Sequence, residues 1–316
     1  MIHVQRYSYD DIFLIPKYSE LNSRAEADTS INFLGHSFKL PVFPSNMESV
    51  INETICRQLA LNGYFYVMHR FNVKVYDFIK SMQDTLVSVS IGVNSKNEYF
   101  KDFKKAVDEG LKIDFVTVDV AHGHHIKMKE MLKWLKSNLN PSTKIIAGNT
   151  AILQACDALE KWGADCVKVG IGGGSICTTR LQTGFTFPMF SCLDECSRYL
   201  NAPIIADGGA KHIGDVAKAL VAGADMVMSG ALFAGCVDSA AKVVNGRKQY
   251  YGSTSFQAKK ENNHIEGRLV DVPLSVTILD RMNEIKMALQ SAISYAGGKD
   301  LSCFNSVSYG LYHEKP

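Results

Sequence analysis

Short apolar runs rich in β-branched residues recur along the chain, and stretches with helical apolar spacing lie between them. This alternation is typical of parallel strands joined by crossover helices. It predicts eight strands, at residues 40–45, 64–68, 87–92, 115–119, 144–148, 166–170, 203–207 and 226–230. The helical spacing is clearest at residues 54–62, 97–110, 126–138, 151–163 and 214–223, and several of these segments end in glycine, as helices commonly do.

Eight strand-helix units match a (β/α)₈ TIM barrel, which needs roughly 250 residues. We therefore predict an α/β fold with one domain over residues 1–316, a barrel core at about residues 40–235, and N- and C-terminal extensions. The extensions include a mobile loop at about residues 252–268, which contains a Lys/Asn-rich stretch, and a C-terminal segment at residues 273–316. A doubly wound open sheet is the alternative architecture.

Composition narrows the classes of partner. The chain has 34 Lys+Arg and 32 Asp+Glu, a net charge of +2, which provides no strong positive field for nucleic acid. No apolar run approaches the roughly 18 residues of a membrane span, and the first residues lack the apolar segment of a secretory signal. Eight cysteines occur without a Cys-x-x-Cys pair. We expect a cytoplasmic protein with reduced thiols, bound neither to nucleic acid nor to a membrane.

The ends of the last two predicted strands are rich in glycine. In a barrel, the active site lies at the carboxyl ends of the strands, and the loops after strands 7 and 8 often hold a phosphate. Here those ends carry Asp207-Gly208-Gly209 and Gly230-Ala231. Glycine lets backbone amides approach phosphate oxygens closely, so these loops predict a phosphorylated small-molecule ligand. The alternative is that the glycines only form tight turns.

A third glycine-rich segment follows predicted strand 6. Residues 170–180 read GIGGGSICTTR, which brings Cys177 to the open end of the barrel. Exposed amides and nearby charge lower the pKa of a thiol and favour the nucleophilic thiolate. The other seven cysteines lie in apolar segments or in the tail, where a small buried side chain is the simpler interpretation.

At this loop the sequence resembles the IMP dehydrogenase/GMP reductase family, whose hallmark is a glycine-rich loop that ends in Ser-(Ile/Val)-Cys-Thr-Thr-Arg. The resemblance extends over nearly the whole chain, through residues 9–12, 15–16, 46–47, 119–123, 147–149 and 206–209. It implies a (β/α)₈ barrel, usually a homotetramer, in which the cysteine adds to C2 of the purine of a nucleoside monophosphate.

Two omissions separate the branches of the family. Dehydrogenases usually carry a regulatory CBS insertion after the second strand, where this chain has only residues 70–86 before the third. They also carry an Arg-Tyr pair that activates water, and none occurs between Gly252 and Glu266. The resemblance therefore favours the reductase branch, which converts GMP to IMP and ammonia with NADPH in purine nucleotide salvage. A dehydrogenase without its regulatory domain and a non-catalytic nucleotide sensor are the alternatives.

The resemblance also implies site residues. Cys177 is the expected nucleophile, and Thr179 and Glu266 match the family's acid/base pair. The implied GMP contacts are Ser175, Asp207, Gly208, Gly209, Gly230, Ala231, Gly252, Ser253, Thr254 and Gly267. The implied NADPH contacts are Ser23, Arg24, His69, Asp119, Val120, Ala121, Ile171, Gly172, Ser291, Ser294 and Tyr295. Backbone carbonyls of Gly172, Gly174, Cys177 and Arg180 match a monovalent cation site, with potassium as the expected ion.

The chain departs from the family pattern at three points. Gly173 stands where many relatives have proline between two glycines, which predicts a more flexible unligated loop. His69 followed by Arg70 stands where mammalian-type reductases have lysine, and Asn263 replaces an arginine that relatives use near the nucleotide.

Overall fold

A curled parallel sheet forms the centre of the molecule, which we describe from a computed structural model over residues 5–260 and 263–312. The strands are β1 Ile12–Leu14, β2 Ile31–Phe33, β3 His36–Phe38, β4 Val42–Pro44, β5 Ser88–Ile91, β6 Phe115–Asp119, β7 Lys144–Thr150, β8 Cys166–Val169, β9 Ile204–Asp207, β10 Met226–Ser229, β11 Val243–Val244, β12 Arg247–Tyr251, β13 Leu269–Pro273 and β14 Tyr309–Leu311. The sheet has the order β4-β10-β9-β8-β7-β6-β5, with every pair parallel. Seven of the eight predicted barrel strands are thereby confirmed.

Helices connect these strands. They are α1 Glu53–Leu61, α2 Val75–Ser81, α3 Glu98–Asp108, α4 Ile126–Asn138, α5 Leu153–Lys161, α6 Thr179–Thr183, α7 Met189–Ser197, α8 Gly214–Val221, α9 Phe256–Lys259 and α10 Ile278–Tyr295. All five helices predicted from apolar spacing are present, each within two residues of the expected bounds. Single 3₁₀ turns lie at Tyr9–Asp11, Arg24–Glu26 and Leu301–Ser306.

The prediction of a strand at residues 64–68 was wrong, because this segment forms no continuous ladder of hydrogen bonds with a neighbouring strand. The segment makes one isolated bridge, between Met68 and Val89. The Met68 amide donates to Ser88, and the Ser90 amide donates to Met68. Phe65, Tyr66 and Val67 are nevertheless fully buried. A short apolar run indicates that the segment is buried, whereas a strand also requires continuous hydrogen bonding to a neighbouring strand. The segment closes the barrel between β4 and β5 by packing.

Aromatic packing closes the amino-terminal end of the barrel. The hairpin β2–β3 places Phe33 and Phe38 against Phe65, with ring centroids 5.6 and 5.2 Å apart. Phe115, at the start of β6, lies 5.0 Å from the same ring. These rings form one buried cluster with side chains from the other strands, including Ile146. With this end filled by apolar side chains, ligand access is directed to the carboxyl ends of the strands.

The extensions pack on the barrel and pair with one another. β1 pairs with β14 in antiparallel register, Ile12 opposite Leu311, so the two ends of the described chain meet. β12 lies between β11 and β13 in a small antiparallel sheet beside the open end of the barrel. The molecule is thus an α/β TIM barrel, one domain with N- and C-terminal extensions. No helix within residues 5–260 and 263–312 is both long and apolar enough to cross a membrane.

Candidate active site

A cavity of about 260 Å³ opens at the carboxyl ends of the barrel strands. The three residues expected to carry the chemistry line it, as do all ten expected GMP contacts: Ser175, Asp207, Gly208, Gly209, Gly230, Ala231, Gly252, Ser253, Thr254 and Gly267. Ligand sites in proteins are concave and have a few convergent polar groups, which this cavity provides. The structure therefore brings together residues that lie far apart in the sequence.

The glycine-rich loop crosses the mouth of the barrel from β8 to α6. Gly170 has a φ of +143°, and an added Cβ there would collide with the carbonyl oxygen of Asp207. Only glycine fits a backbone of this conformation at so close an approach. Cys177, at the far end of the loop, is half-buried and faces the cavity. Of the other seven cysteines, six are buried as predicted, and Cys303 is partly exposed.

Cys177, Thr179 and Glu266 form a chain of hydrogen bonds. The Cys177 thiol donates to Oγ1 of Thr179 over 3.1 Å, and the Thr179 hydroxyl donates to Oε2 of Glu266 over 2.6 Å. A carboxylate at the end of such a chain can accept the thiol proton through the hydroxyl and can return a proton along the same path. The geometry is that of a nucleophile connected to an acid/base group.

Backbone pairing holds this chain together. The Thr178 amide donates to the Glu266 carbonyl over 2.8 Å, and the Arg268 amide donates to the Ile176 carbonyl over 3.0 Å. Cys177 and Gly267 consequently face each other in an antiparallel bridge. Because the carboxylate and the thiol belong to paired segments, their separation is set by main-chain hydrogen bonds.

A cluster of charged side chains forms the floor of the cavity. Lys168 on β8 is 1% exposed and forms ion pairs with Asp119 on β6 and Asp207 on β9. Asn149 donates to Asp207 over 2.8 Å, and Asn46 donates to Asp119 over 3.0 Å. Sequence reasoning missed Lys168, although a lone lysine inside the apolar strand Cys166–Val169 was a signal that could have identified it.

Opposite charges keep Lys168 and Asp119 ionised despite their burial. Burial by itself would lower the pKa of Lys168, but Asp119 and Asp207 outweigh burial and raise it above its ordinary value. Burial would likewise raise the pKa of Asp119, yet the nearby Lys168 and Arg70 lower it to about 2. Opposite charges within a few ångströms favour the charged form of each partner, so Lys168 and Asp119 are both charged at neutral pH.

His69 lies away from the cavity, whereas the neighbouring Arg70 lines it. His69, an expected cofactor contact, is 4% exposed and is absent from the lining of the cavity. Burial lowers the pKa of His69 to about 4, and its Nδ1 accepts a hydrogen bond from the Phe71 amide. Arg70 lines the cavity instead, with Nη1 3.5 Å from Asp119. Adjacent residues in an extended chain point in opposite directions, which explains why only one of the two faces the cavity.

The expected NADPH contacts divide into two groups. Asp119, Val120, Ala121, Ile171 and Gly172 line the cavity. Apart from His69, the remaining residues lie on α10 and on the 3₁₀ turn Arg24–Glu26 with its N-cap residue Ser23. They are Ser23, Arg24, Ser291, Ser294 and Tyr295. Arg24 Nη1 lies 3.4 Å from the Ser291 hydroxyl, and its guanidinium lies 5.4 Å from the centre of the Tyr295 ring. The fold joins these residues to one another, but they do not line the cavity.

The carbonyls expected to bind a monovalent cation lie along the cysteine loop and α6. The Gly174 carbonyl accepts the Cys177 amide over 3.1 Å, and the Arg180 carbonyl accepts the Gly184 amide over 3.1 Å. Each carbonyl oxygen has a second lone pair, so these bonds leave one direction free. No group of three His, Cys, Asp or Glu side chains suited to a metal occurs among the described residues. A potassium site on these carbonyls stays a prediction.

The fold and the cavity together define a (β/α)₈-barrel enzyme with its site at the carboxyl ends of the strands. The chain belongs to the IMP dehydrogenase/GMP reductase family of oxidoreductases, whose family model matches residues 6–309. It is 43% identical to a GMP reductase of Acidovorax ebreus (strain TPSY) over 311 residues, which is 96% of this chain and 95% of the relative. It is 44% identical to a GMP reductase of Streptococcus equi subsp. equi over 312 residues, 96% and 94% of the two chains. A GMP reductase of Mycoplasma mycoides subsp. mycoides SC is 41% identical over 311 residues, 96% and 97%. The resemblance noted from the motifs is confirmed.

Proposed function

We propose that the protein is a GMP reductase, which reduces GMP to IMP and ammonia with NADPH in purine nucleotide salvage. The hydrogen-bonded chain from Cys177 through Thr179 to Glu266, at the wall of the cavity, is the observation that carries this proposal. A binding protein has no use for a thiol connected to an acid/base pair. The names of the full-length relatives support the same reaction.

The nucleotide would bind on the side of the cavity formed by the ends of β9 and β10. Gly208 and Gly209 both have positive φ and line the cavity, and glycine lets the backbone approach phosphate oxygens closely. Asp207 lies at the end of β9 as an ionic acceptor for ribose hydroxyls. With the phosphate and ribose held there, the purine would extend toward Cys177, which lines the same cavity.

NADPH would occupy the side of the cavity near the end of β6. The groups there fit a planar ring that carries a carboxamide: the ring of Phe71, the apolar side chain of Ile171 and the carboxylate of Asp119. Arg24, on the separate cluster with α10, would bind the 2′-phosphate through its guanidinium. When bound, NADPH supplies the hydride that C2 of the purine receives.

Cys177 and its two partners would carry out the deamination. The thiol proton passes through Thr179 to Glu266, and the thiolate sulfur forms a bond to C2 of GMP. The bond from C2 to the 2-amino nitrogen then breaks, and a proton returned by Glu266 through Thr179 lets ammonia leave as a neutral molecule. A thioimidate joins Cys177 to the purine at this stage. After C2 receives hydride, its bond to sulfur breaks, and IMP and the thiolate are released.

The deciding experiment mixes purified protein with GMP and NADPH and follows NADPH absorbance. We expect consumption of NADPH that requires GMP and yields equimolar IMP and ammonia. Incubation with IMP and NAD is the parallel reaction for the dehydrogenase alternative. NADH formed from IMP, with no NADPH consumed by GMP, would establish a dehydrogenase, and inactivity in both assays would favour a nucleotide sensor.

Substitution of the two partly exposed cysteines tests the covalent step. Cys177→Ala should bind GMP and lose turnover, because the group that attacks C2 is gone. Cys303→Ala is the matched control, since Cys303 is also partly exposed but lies outside the lining of the cavity. Residual turnover of a few per cent or more in Cys177→Ala would exclude the thioimidate route.

The family resemblance also supports a homotetramer in the cytoplasm and activation by potassium. Light scattering of the purified protein tests the assembly, and a mass near four times 34.9 kDa is expected. Assays in potassium-free buffer, with sodium at equal ionic strength, test the cation.

A further inference from the structure

We propose that Lys168 is a positioning residue, which holds Asp119 and Asp207 in fixed orientations on the two halves of the cavity. The proposal rests on the proposed function only in its second half, the identity of the ligands. Its first half concerns three strands of the barrel and is testable without any ligand.

The ammonium group of Lys168 joins four neighbouring strands, β6 to β9. Its Nζ lies 2.9 Å from Oδ1 of Asp119 on β6 and also donates to Oδ2 of Asp207 on β9, while Lys168 itself is on β8. A third bond goes to the side-chain oxygen of Asn149. Lys168 therefore directs all three of its N–H groups to side chains at the floor of the cavity. An amine of this kind sets the relative position of two carboxylates that no main-chain bond connects.

A glycine on the neighbouring strand makes room for the Lys168 side chain. Gly148 on β7 lies in register with both Asp119 and Lys168. A Cβ added at Gly148 would lie 2.6 Å from Cβ of Lys168 and 2.5 Å from its carbonyl oxygen. The absence of a side chain at Gly148 lets β7 and β8 approach where the lysine side chain leaves its strand.

The charges in this cluster balance. The groups that face Lys168 and its carboxylates are Asp119, Asp207, Arg70 at 3.5 Å from Asp119, and the buried phenol of Tyr250 near Asp207. Two cations thus offset two carboxylates. Without Lys168, Arg70 would face Asp119 only, and the two carboxylates would outnumber the cations of the cluster. Buried like charges resist simultaneous ionisation, so one carboxyl group would take up a proton.

Through Asp207 and Asp119, Lys168 affects the binding of both ligands. Lys168 and Asn149 both bond Oδ2 of Asp207, which leaves Oδ1 for a ligand hydroxyl. Asp119 lies on the side of the cavity that we assign to the nicotinamide. If one lysine keeps both carboxylates ionised and oriented, its loss weakens the binding of GMP and of NADPH together, whereas loss of a single contact residue weakens one of them.

The test compares Lys168→Met with Lys248→Met and Lys168→Arg. Lys248 is an equally hidden lysine, 3% exposed, but its amine donates to the backbone carbonyls of Ser239 and Ala241, which do not titrate. Urea unfolding without ligand is measured for wild type and each variant between pH 4.5 and pH 7.5.

The first expected result concerns the stability of the free protein. In Lys168→Met, a carboxyl group with a raised folded-state pKa binds a proton in the native state but not in the unfolded state, so the loss of stability relative to wild type should grow as pH rises. The ratio of the unfolding equilibrium constant of Lys168→Met to that of wild type should increase by up to tenfold for each unit that pH rises. For Lys248→Met and Lys168→Arg this ratio should be independent of pH. A constant ratio for Lys168→Met, or a rising one for Lys168→Arg, would overturn the assignment.

The second expected result concerns ligands at pH 7.5. Calorimetric binding of GMP and of NADPH should each weaken at least tenfold in Lys168→Met and change less than twofold in Lys248→Met. A loss confined to one ligand would refute the shared role of Lys168. If wild type itself does not bind GMP, the proposed function fails, and the unfolding measurements still decide whether Lys168 holds the two carboxylates.

Discussion

The carboxylate of Glu266 offers a direct test of the acid/base chain, because it can be neutralised without changing its shape. In Glu266→Gln, the amide oxygen can still accept the Thr179 hydroxyl, which now lies 2.6 Å from Oε2. Backbone pairing of Thr178 with residue 266 is unaffected by the side chain. The substitution therefore removes the basicity of the group and leaves its position.

The size of the effect follows from the role. A positioned acid/base group contributes typically 10²–10⁴-fold to a rate, which corresponds to about 2.7–5.4 kcal/mol of transition-state free energy at about 1.36 kcal/mol per tenfold. We expect kcat to fall within this range. The KM for GMP should change by only a few-fold, since the predicted phosphate and ribose contacts lie on the loops after β9 and β10.

Steady-state NADPH consumption measures both constants, and a rapid-quench assay of ammonia separates the deamination step from hydride transfer. Glu109→Gln is the matched control, because Glu109 also accepts a hydroxyl at 2.6 Å, from Tyr76, but lies outside the cavity. Ammonia release as fast as in wild type, with kcat lowered less than threefold, would show that Glu266 transfers no proton in the reaction.

Three further predictions follow from packing, burial and charge. Gly148→Ala should destabilise the protein by about 1–3 kcal/mol in urea unfolding because its Cβ would overlap Lys168, whereas Gly214→Ala, where a Cβ meets nothing within 4 Å, should have little effect. Burial lowers the pKa of His69 to about 4 and keeps the side chain neutral in the folded protein. As pH drops from about 6.5 toward 4, the unfolded state binds a proton at this residue before the folded state does, so the free energy of unfolding should fall by about 3 kcal/mol. His69→Gln should remove that part of the pH dependence of unfolding, and an unchanged slope would contradict the assignment. Arg24→Ala should lower kcat/KM for NADPH about tenfold or more relative to NADH, and an unchanged ratio would remove Arg24 from the 2′-phosphate site.

The sequence was most informative where chemistry is local. The spacing of apolar residues and the positions of glycines correctly predicted seven barrel strands and five helices. This succeeded because the apolar pattern of a strand or helix lies within its own residues. The loop from Gly170 to Cys177 was predicted at the open end of the barrel for the same reason, since a strand, glycines and a reactive side chain are consecutive in the chain.

The structure differs from the sequence predictions, or adds to them, where pairing or direction depends on distant residues. Residues 64–68 have the composition of a strand, but whether they form a ladder is decided by the curvature of the neighbouring strands. The choice between His69 and Arg70 depends on which side of the extended chain faces the cavity, and composition does not encode that choice. The cluster of Arg24 with Tyr295 likewise required α10 to pack on the N-terminal extension.

The amino-acid sequence by itself thus determined the barrel class and the place of the thiol, and its resemblance to the family supplied the acid/base candidates. The tertiary structure alone decided that Glu266 reaches Thr179 and that Lys168 connects Asp119 with Asp207. Both arrangements join residues from separate segments through a few ångströms of space. Local propensity acts over neighbouring residues, whereas such contacts exist only after the strands have closed into a barrel and brought their carboxyl ends to one cavity.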